Sequence, residues 1–302
     1  IKLIKGYLMQ DKFSATIGNF DGIHKGHMKL ISHVLSYAQK NNIKSKVITF
    51  NPYPFEYFKR DKKRILANED KINLLNDLNI DSIYSIKFDE VFRSLTAEEF
   101  FQKYILNAEV GYLIVGKDFK FGIDRTGDIS TLKSLCAKNN IVLDIAEDVL
   151  YGEDKISSTL IRSYLEKGDF SHVSELLQRP YKITGKVISG KNIGKRISTP
   201  TANIDIDDVD FCFSGVFLCK TTINEKDYFC IANFGPKPTF DDYRQSLEAH
   251  ILDFDKNIYD EILTIEFLCK IRDQIKFDSI DDLKNQIQKD REKAESLLKN
   301  YE

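Results

Sequence analysis

Near Pro180 the hydrophobic pattern of this 302-residue chain changes period, and that change sets the architecture. Before it, short apolar runs alternate with stretches whose apolar residues recur every three or four positions. Phe13–Gly18 reads as a strand, Ile31, Val34, Leu35 and Ala38 carry helical spacing, and Lys46–Phe50 is again a strand. A helix over Lys71–Leu78, a strand over Ser82–Ile86, a helix over Ala97–Leu106 and a strand over Tyr112–Val115 continue the series. Leu132–Asn139 (helix) and Ile141–Ile145 (strand) end it. Such alternation predicts an α/β domain, a parallel sheet with helices on both faces. From Tyr181 to about Arg272 the runs are short and β-branched: Val216–Ile223, Tyr228–Ala232, Leu247–Leu252 and Ile262–Leu268, punctuated by Gly and Pro. That pattern predicts an all-β module, barrel or sandwich. Ser279–Asn300 is amphipathic at helical spacing, with Ser279 placed to cap it and Asp281 and Asp282 in its first turn. The boundary is expected between Glu175 and Tyr181, giving domains 1–178 and 179–302.

Composition narrows the function classes. Forty-four basic residues against 46 acidic leave a net charge of −2, so there is no basic footprint for nucleic acid. No run of about 18 apolar residues offers a membrane span. The start, Ile1-Lys-Leu-Ile-Lys-Gly6, has no apolar core of signal-peptide length. The cysteines Cys136, Cys212, Cys219, Cys230 and Cys269 are odd in number, irregular in spacing and form no C-x-x-C. Reduced thiols in a cytoplasm are the plain expectation.

Two of the five histidines fall in one short stretch, Gly18-Asn-Phe-Asp-Gly-Ile-His-Lys-Gly-His27. It lies at the carboxyl end of the first strand, the side of a parallel sheet where ligands bind. A strand end, a turn and a helix start form a ready anion site, because the first helical N–H groups are free and the helix dipole favours negative charge. Gly22 and Gly26 allow close backbone approach. His24 and His27, three apart, can address one group of phosphate oxygens. An ordinary helix start with two exposed histidines is the alternative; zinc is disfavoured because no third ligand lies at a familiar spacing. Asp118, after the strand ending at Gly116, reads either as a turn residue or as an acceptor for a ribose hydroxyl or an amine. Ser157 and Ser158 precede a helix running to about Lys167, with Arg162 one turn in. They form either a second phosphate grip or an N-cap with an Arg162–Glu166 surface pair.

G-N-F-D-G-x-H-x-G-H resembles the H-x-G-H signature of nucleotidyltransferases, in the fuller form of the adenylyltransferase half of the prokaryotic bifunctional riboflavin kinase/FAD synthetase family. Val115-Gly-Lys-Asp-Phe-Lys-Phe-Gly122 with Gly127-Asp128 resembles that family's second motif, and Ile156-Ser-Ser-Thr-Leu-Ile-Arg162 its third. The resemblance implies a Rossmann-like nucleotidyltransferase domain. Gly18, Phe20, Asp21, Gly26, Asp118, Ser157, Ser158 and Thr159 would bind ATP and the adenylyl group, and His24, His27 and Arg162 would act on the phosphates. Tyr53, in Phe50-Asn-Pro-Tyr-Pro54, stands where the family often has His, and Tyr cannot carry that positive charge.

The second half carries its own resemblance. Gly185-Lys-Val-Ile-Ser-Gly190 followed by Gly194-Lys-Arg-Ile-Ser-Thr-Pro-Thr-Ala-Asn203 is similar to the riboflavin kinase pattern, with its Pro-Thr-Ala-Asn core intact. Asn233-Phe-Gly-Pro-Lys-Pro-Thr-Phe240 and Ser246-Leu-Glu-Ala-His250 resemble two further kinase motifs. Read alone, Pro-Thr-Ala-Asn is a turn. Glu248 and His250 share a strand face by period two, and that face could equally be solvated. The resemblance implies a riboflavin-kinase β-barrel with a terminal helix. Gly190, Lys195, Thr201 and Asn203 would bind nucleotide, Thr201 and Asn203 would hold Mg²⁺, and Glu248 would be the catalytic base. Lys195 stands where Arg is usual, and Ser198 replaces a usual Gly.

Together the motifs imply a bifunctional enzyme that phosphorylates riboflavin to FMN with ATP and Mg²⁺, then joins FMN to AMP from ATP, giving FAD and pyrophosphate. Lys195 and Ser198 motivate one alternative, an adenylyltransferase with a weakened kinase. A non-catalytic flavin or nucleotide sensor is another. Transfer to a different phosphate, such as phosphopantetheine, fits only the first half. The sequence fixes no oligomeric state.

Overall fold

The computed structural model describes residues 12–59, 61–189, 201–206, 209–237, 242–299 and 301. They fall into two compact units. One holds the described residues up to Lys62 together with Lys71–Ser157; the other holds Lys63–Asp70 together with the described residues from Ser158 onward.

The first unit is built on strands β1 (Phe13–Ile17), β2 (Lys44–Phe50), β3 (Ser82–Ile86), β4 (Val110–Gly116) and β5 (Val142–Ala146). They form one parallel sheet in the order β3-β2-β1-β4-β5. β2 and β4 read as near-continuous apolar runs because both faces of the sheet are covered. One face packs Ile17, Ile48, Leu113 and Val115 against Phe100, Phe101 and Ile105. The other packs Val47 with Ile31 and Leu75, and Tyr112 and Ile114 with Val34. Helix α1 (Lys25–Asn41) buries Ile31, Val34 and Ala38, three of the four positions its spacing assigned to the core. It stops at Asn42, whose φ of 52° is left-handed. The Ser14 hydroxyl donates to the Val34 carbonyl at 2.7 Å and pins α1 to β1. The chain runs outward from β1 to β3, then crosses to β4 and β5 on the other side. β1 and β4 therefore flank the point where strand order reverses, and their carboxyl ends frame a crevice.

In the second unit the choice between barrel and sandwich resolves to a barrel. Strands β8 (Lys182–Ile188), β9 (Ala202–Ile204), β10 (Gly215–Ile223), β11 (Lys226–Lys237), β12 (Asp242–Ile251) and β13 (Ile262–Arg272) close in the order β10-β11-β12-β9-β8-β13, every pairing antiparallel. A two-stranded hairpin, β6 (Leu150–Tyr151) and β7 (Asp154–Lys155), belongs to the first unit. Phe213, Phe217, Phe234, Phe267 and Tyr181 form an aromatic core. Phe170, the first residue of a short helix over Phe170–Leu177, joins that core. Val216, Leu218 and Ile271 face the terminal helix over Ile280–Leu298, through Ala294 and Leu297. Ser279 caps that helix, accepting from Asp282 N at 3.1 Å, as its sequence predicts. Gly185 is needed where β8 passes β9, since a Cβ there would lie 2.0 Å from the Asp205 carbonyl oxygen.

Candidate active sites

The loop between β1 and α1 is tightly wound. Phe20, Gly22 and Ile23 all take positive φ (52°, 91° and 42°). Left-handed backbone at Phe20 and Ile23 is strained, and burial of both rewards it, since neither is more than 1% exposed. The turn delivers His24 to the N-cap of α1, where its Nδ1 accepts the His27 backbone N–H at 3.3 Å. A ring nitrogen that accepts carries no proton, so His24 presents Nε2–H. His27 stacks on it, ring centroids 3.7 Å apart and 16° from parallel, and Phe20 meets His27 edge-on at 5.1 Å. Gly26 makes room for this stack. A Cβ there would sit 3.1 Å from His24 Cε1 and 3.5 Å from the Ile156 carbonyl oxygen. That carbonyl belongs to the first residue of the third motif, with Ser157 next in the chain. Asp21, in the same loop, is buried.

Asp118 lies beyond the end of β4, on the other side of the crevice. It is exposed and ion-paired with Lys155, which also bonds Asp148 at 2.8 Å; Lys117 bonds the same Asp148 at 2.6 Å. Hydrogen bonds from Lys117 and then Lys155 hold the Asp148 carboxyl below its ordinary pKa. Ser158 opens helix Ser158–Lys167, and Thr159 is exposed in its first turn. Arg162 is buried, not on the surface face that a pair with Glu166 would need, and its Nε donates to the Lys63 carbonyl at 2.7 Å. Contact grouping puts Gly18 through Ser157 in the first unit, and Ser158, Thr159 and Arg162 in the second.

On the barrel, register brings three motifs into one row. Asn233 on β11 pairs with Glu248 on β12, and Glu248 with Asn203 on β9. Their neighbours Ala232, Phe234, Leu247, Ala249 and Ile204 are buried, so by period two this polar row faces out of the barrel. His250 lies two residues along β12 on the same face. Gln274 Nε2 donates to Asn233 Oδ1 at 2.8 Å and to the Phe234 carbonyl at 3.1 Å, which orients the Asn233 amide. Thr201 is half-buried just before β9. Gly190, Gly194, Lys195, Arg196, Ser198 and Pro238–Phe240 lie outside the described residues.

Two family models match the chain, one after the other. Residues 8–160 match the FAD synthetase family model, and residues 177–298 match the riboflavin kinase model. A Haemophilus influenzae protein named bifunctional riboflavin kinase/FMN adenylyltransferase is 37% identical over 94% of this chain and 93% of its own. The chain belongs to the bifunctional riboflavin kinase/FMN adenylyltransferase family. Relatives of the same name in Bacillus subtilis and Escherichia coli K12 are 35% and 32% identical, over 94% and 96% of this chain and 92% and 96% of theirs. A solved structure from Streptococcus pneumoniae, itself named a macrolide-efflux protein, is 32% identical with a TM-score of 0.76 and covers 93% of each chain. Among the described residues here, no helix is long and apolar enough to cross a membrane.

Some residues of these sites carry no motif in the sequence. Lys155 and Asp148 come from the hairpin and the loop before it, where charged residues ordinarily mean solvent. Gln274 follows the last strand and carries no motif of its own; only the β11 register reveals its partner.

Proposed function

We propose that this chain makes flavin cofactors in two steps: its barrel phosphorylates riboflavin to FMN, and its parallel-sheet domain transfers AMP from ATP to FMN, releasing pyrophosphate. The observation that carries the reading is that one chain matches both family models end to end. We take residues 1–178 and 179–302 as the functional modules. We place the reactions in the cytoplasm, a reducing compartment that suits five free cysteines.

In adenylyl transfer the FMN phosphate attacks the α-phosphorus of ATP. That phosphate is already ionised, so the site needs charge stabilisation and alignment more than a strong base. His24 donates through Nε2–H, His27 stacks beside it, and α1 adds its N–H groups and dipole. Ser157, Ser158, Thr159 and Arg162 form the second grip, and Gly18, Phe20, Asp21, Gly26 and Asp118 shape the nucleotide pocket. In the kinase step Glu248 takes the proton from the riboflavin 5′-hydroxyl as it attacks the γ-phosphorus. Gly190 and Lys195 are assigned to the nucleotide phosphates. Thr201 and Asn203 offer the hard oxygen donors that suit Mg²⁺, and Asn203 pairs with Glu248 on the adjoining barrel strand. Bound there, Mg²⁺ would neutralise charge on the transferred phosphoryl group.

The test is one incubation with riboflavin, ATP and Mg²⁺ and a second from FMN, with products separated by chromatography. FAD is expected from both. FAD from FMN alone would point to a kinase weakened at Lys195 and Ser198, and flavin binding without product to a sensor. Glu248→Gln is expected to cut FMN formation by about 10²–10⁴-fold while leaving FAD formation from supplied FMN intact. Survival of both activities would remove Glu248 from that role.

A further inference from the structure

Lys71 stands fifth by size among the fully buried side chains, with 0% exposure, and shares that degree of burial with one other charged residue among the described residues, Asp21. No motif contains it. Its ammonium donates to Thr49 Oγ1 at 3.1 Å and to the Phe50 carbonyl at 3.2 Å, and it lies over the Tyr53 ring, 4.5 Å from the centroid. Thr49 Oγ1 in turn donates to the Asn19 carbonyl at 3.1 Å. These contacts occupy the carboxyl end of β2, beside the carboxyl end of β1, where Gly18 N–H donates to the Ile48 carbonyl at 3.0 Å. A buried ammonium is costly to desolvate, and an apolar residue of the same length would fill this space more cheaply. A cation retained there therefore has a use at that edge of the sheet.

We propose that Lys71 is a positioning residue for adenylyl transfer: through Thr49 it fixes the Asn19–Phe20 turn that carries His24 and His27. It also binds the Phe50–Tyr53 loop to the same anchor, so the two loops at the carboxyl ends of β1 and β2 hold one arrangement. Tyr53, which brings no charge of its own, supplies the aromatic face on which the cation rests.

This inference rests on the adenylyltransferase reading, and the experiment separates the two. Full-length protein, Lys71→Met and Thr49→Val are assayed for FAD formation from FMN and ATP, with riboflavin phosphorylation measured on the same preparations and folding followed by circular dichroism melting. Lys71→Met is expected to lower kcat for FAD formation at least tenfold, with KM for FMN and ATP within about threefold and the kinase rate unchanged. Thr49→Val, nearly isosteric, is expected to lower the same kcat about threefold, and Lys71→Arg to recover part of the loss. Wild-type kcat in either folded variant, or a loss that follows the unfolded fraction at assay temperature, overturns the proposal. An unsubstituted protein that makes no FAD would overturn the adenylyltransferase reading itself.

Discussion

Gly26 shows how one residue can set activity against stability. It is the second residue of α1, where alanine is a better helix former than glycine by up to about 1 kcal/mol. An added Cβ, however, would press on His24 Cε1 and Nδ1 at 3.1 and 3.2 Å, closer than the ring can accept without turning. Turning it breaks the 3.3 Å cap bond that sets its tautomer. Gly26→Ala is therefore expected to lower FAD formation at least tenfold while leaving the melting temperature unchanged or raised, read by steady-state kinetics beside a thermal melt. Asp70 carries the pH dependence at this scale. Burial, with Glu69 adding to it, pushes its pKa up from 3.8 to about 6, against the Thr184 backbone N–H and Arg179; its Oδ2 has no hydrogen-bond partner among the described residues. A raised acid favours the protonated fold, so stability is complete below pH 3.8 and falls as pH rises through about 6. Asp70→Asn is expected to add on the order of 1 kcal/mol at pH 8, after allowance for solvent screening, and nothing near pH 3; urea titrations at the two pH values check it. His24 and Gly26 are legible in the sequence because their motif is local. Lys71 is not, because one lysine at the start of a helical run reads as solvated until the sheet edge above it is known.

At the scale of elements, period carries most of the information. Both halves declare their class because alternation of 3.6 and 2 follows from which faces are buried, and the parallel sheet and the β-module both follow from it. Closure into a barrel does not, since it depends on β13 reaching both β8 and β10. The hairpin of β6 and β7 escapes too, because strands of two residues have no period. The terminal helix is legible as amphipathic, but its fastening is not. Arg272 on β13 meets Asp290 with Nε at 2.8 Å and Nη2 at 2.8 Å, and Asp290 is only 5% exposed. Removing one member of so buried a pair strands the other charge. Asp290→Ala is expected to destabilise the barrel unit by about 3 kcal/mol, and adding Arg272→Met is expected to recover part of that loss. The two denaturation midpoints, compared with wild type, give the answer.

At the scale of the whole molecule, the sequence places its boundary where the period changes, but packing draws the compact units elsewhere. Lys63–Asp70 groups with the barrel: Arg64 N–H donates to the Asp210 carbonyl at 2.9 Å, Cys212 N–H to the Arg64 carbonyl at 3.0 Å, and the Tyr181 hydroxyl to the Ile65 carbonyl at 2.6 Å. A segment far away in sequence gives no local sign of such pairing. Residues 158–177 group with the barrel as well, and Phe170 is the reason. It is 2% exposed, with its ring 5.4–5.7 Å from those of Phe213, Phe217 and Phe267. A fragment cut at the change of period, residues 179–302, loses that ring and opens a hole in its aromatic core. One beginning at Ser158 keeps it. Both lack the Lys63–Asp70 segment, so the difference between them isolates the two helices. Emptying a buried Phe site costs roughly 3–5 kcal/mol, a large part of the stability of a domain this size. Fragment 158–302 is expected to unfold cooperatively at a clearly higher urea concentration than 179–302, and to phosphorylate riboflavin at temperatures where the shorter fragment is inactive. Equal midpoints would mean that the barrel closes its core without Phe170, and that the change of period alone marks a folding unit.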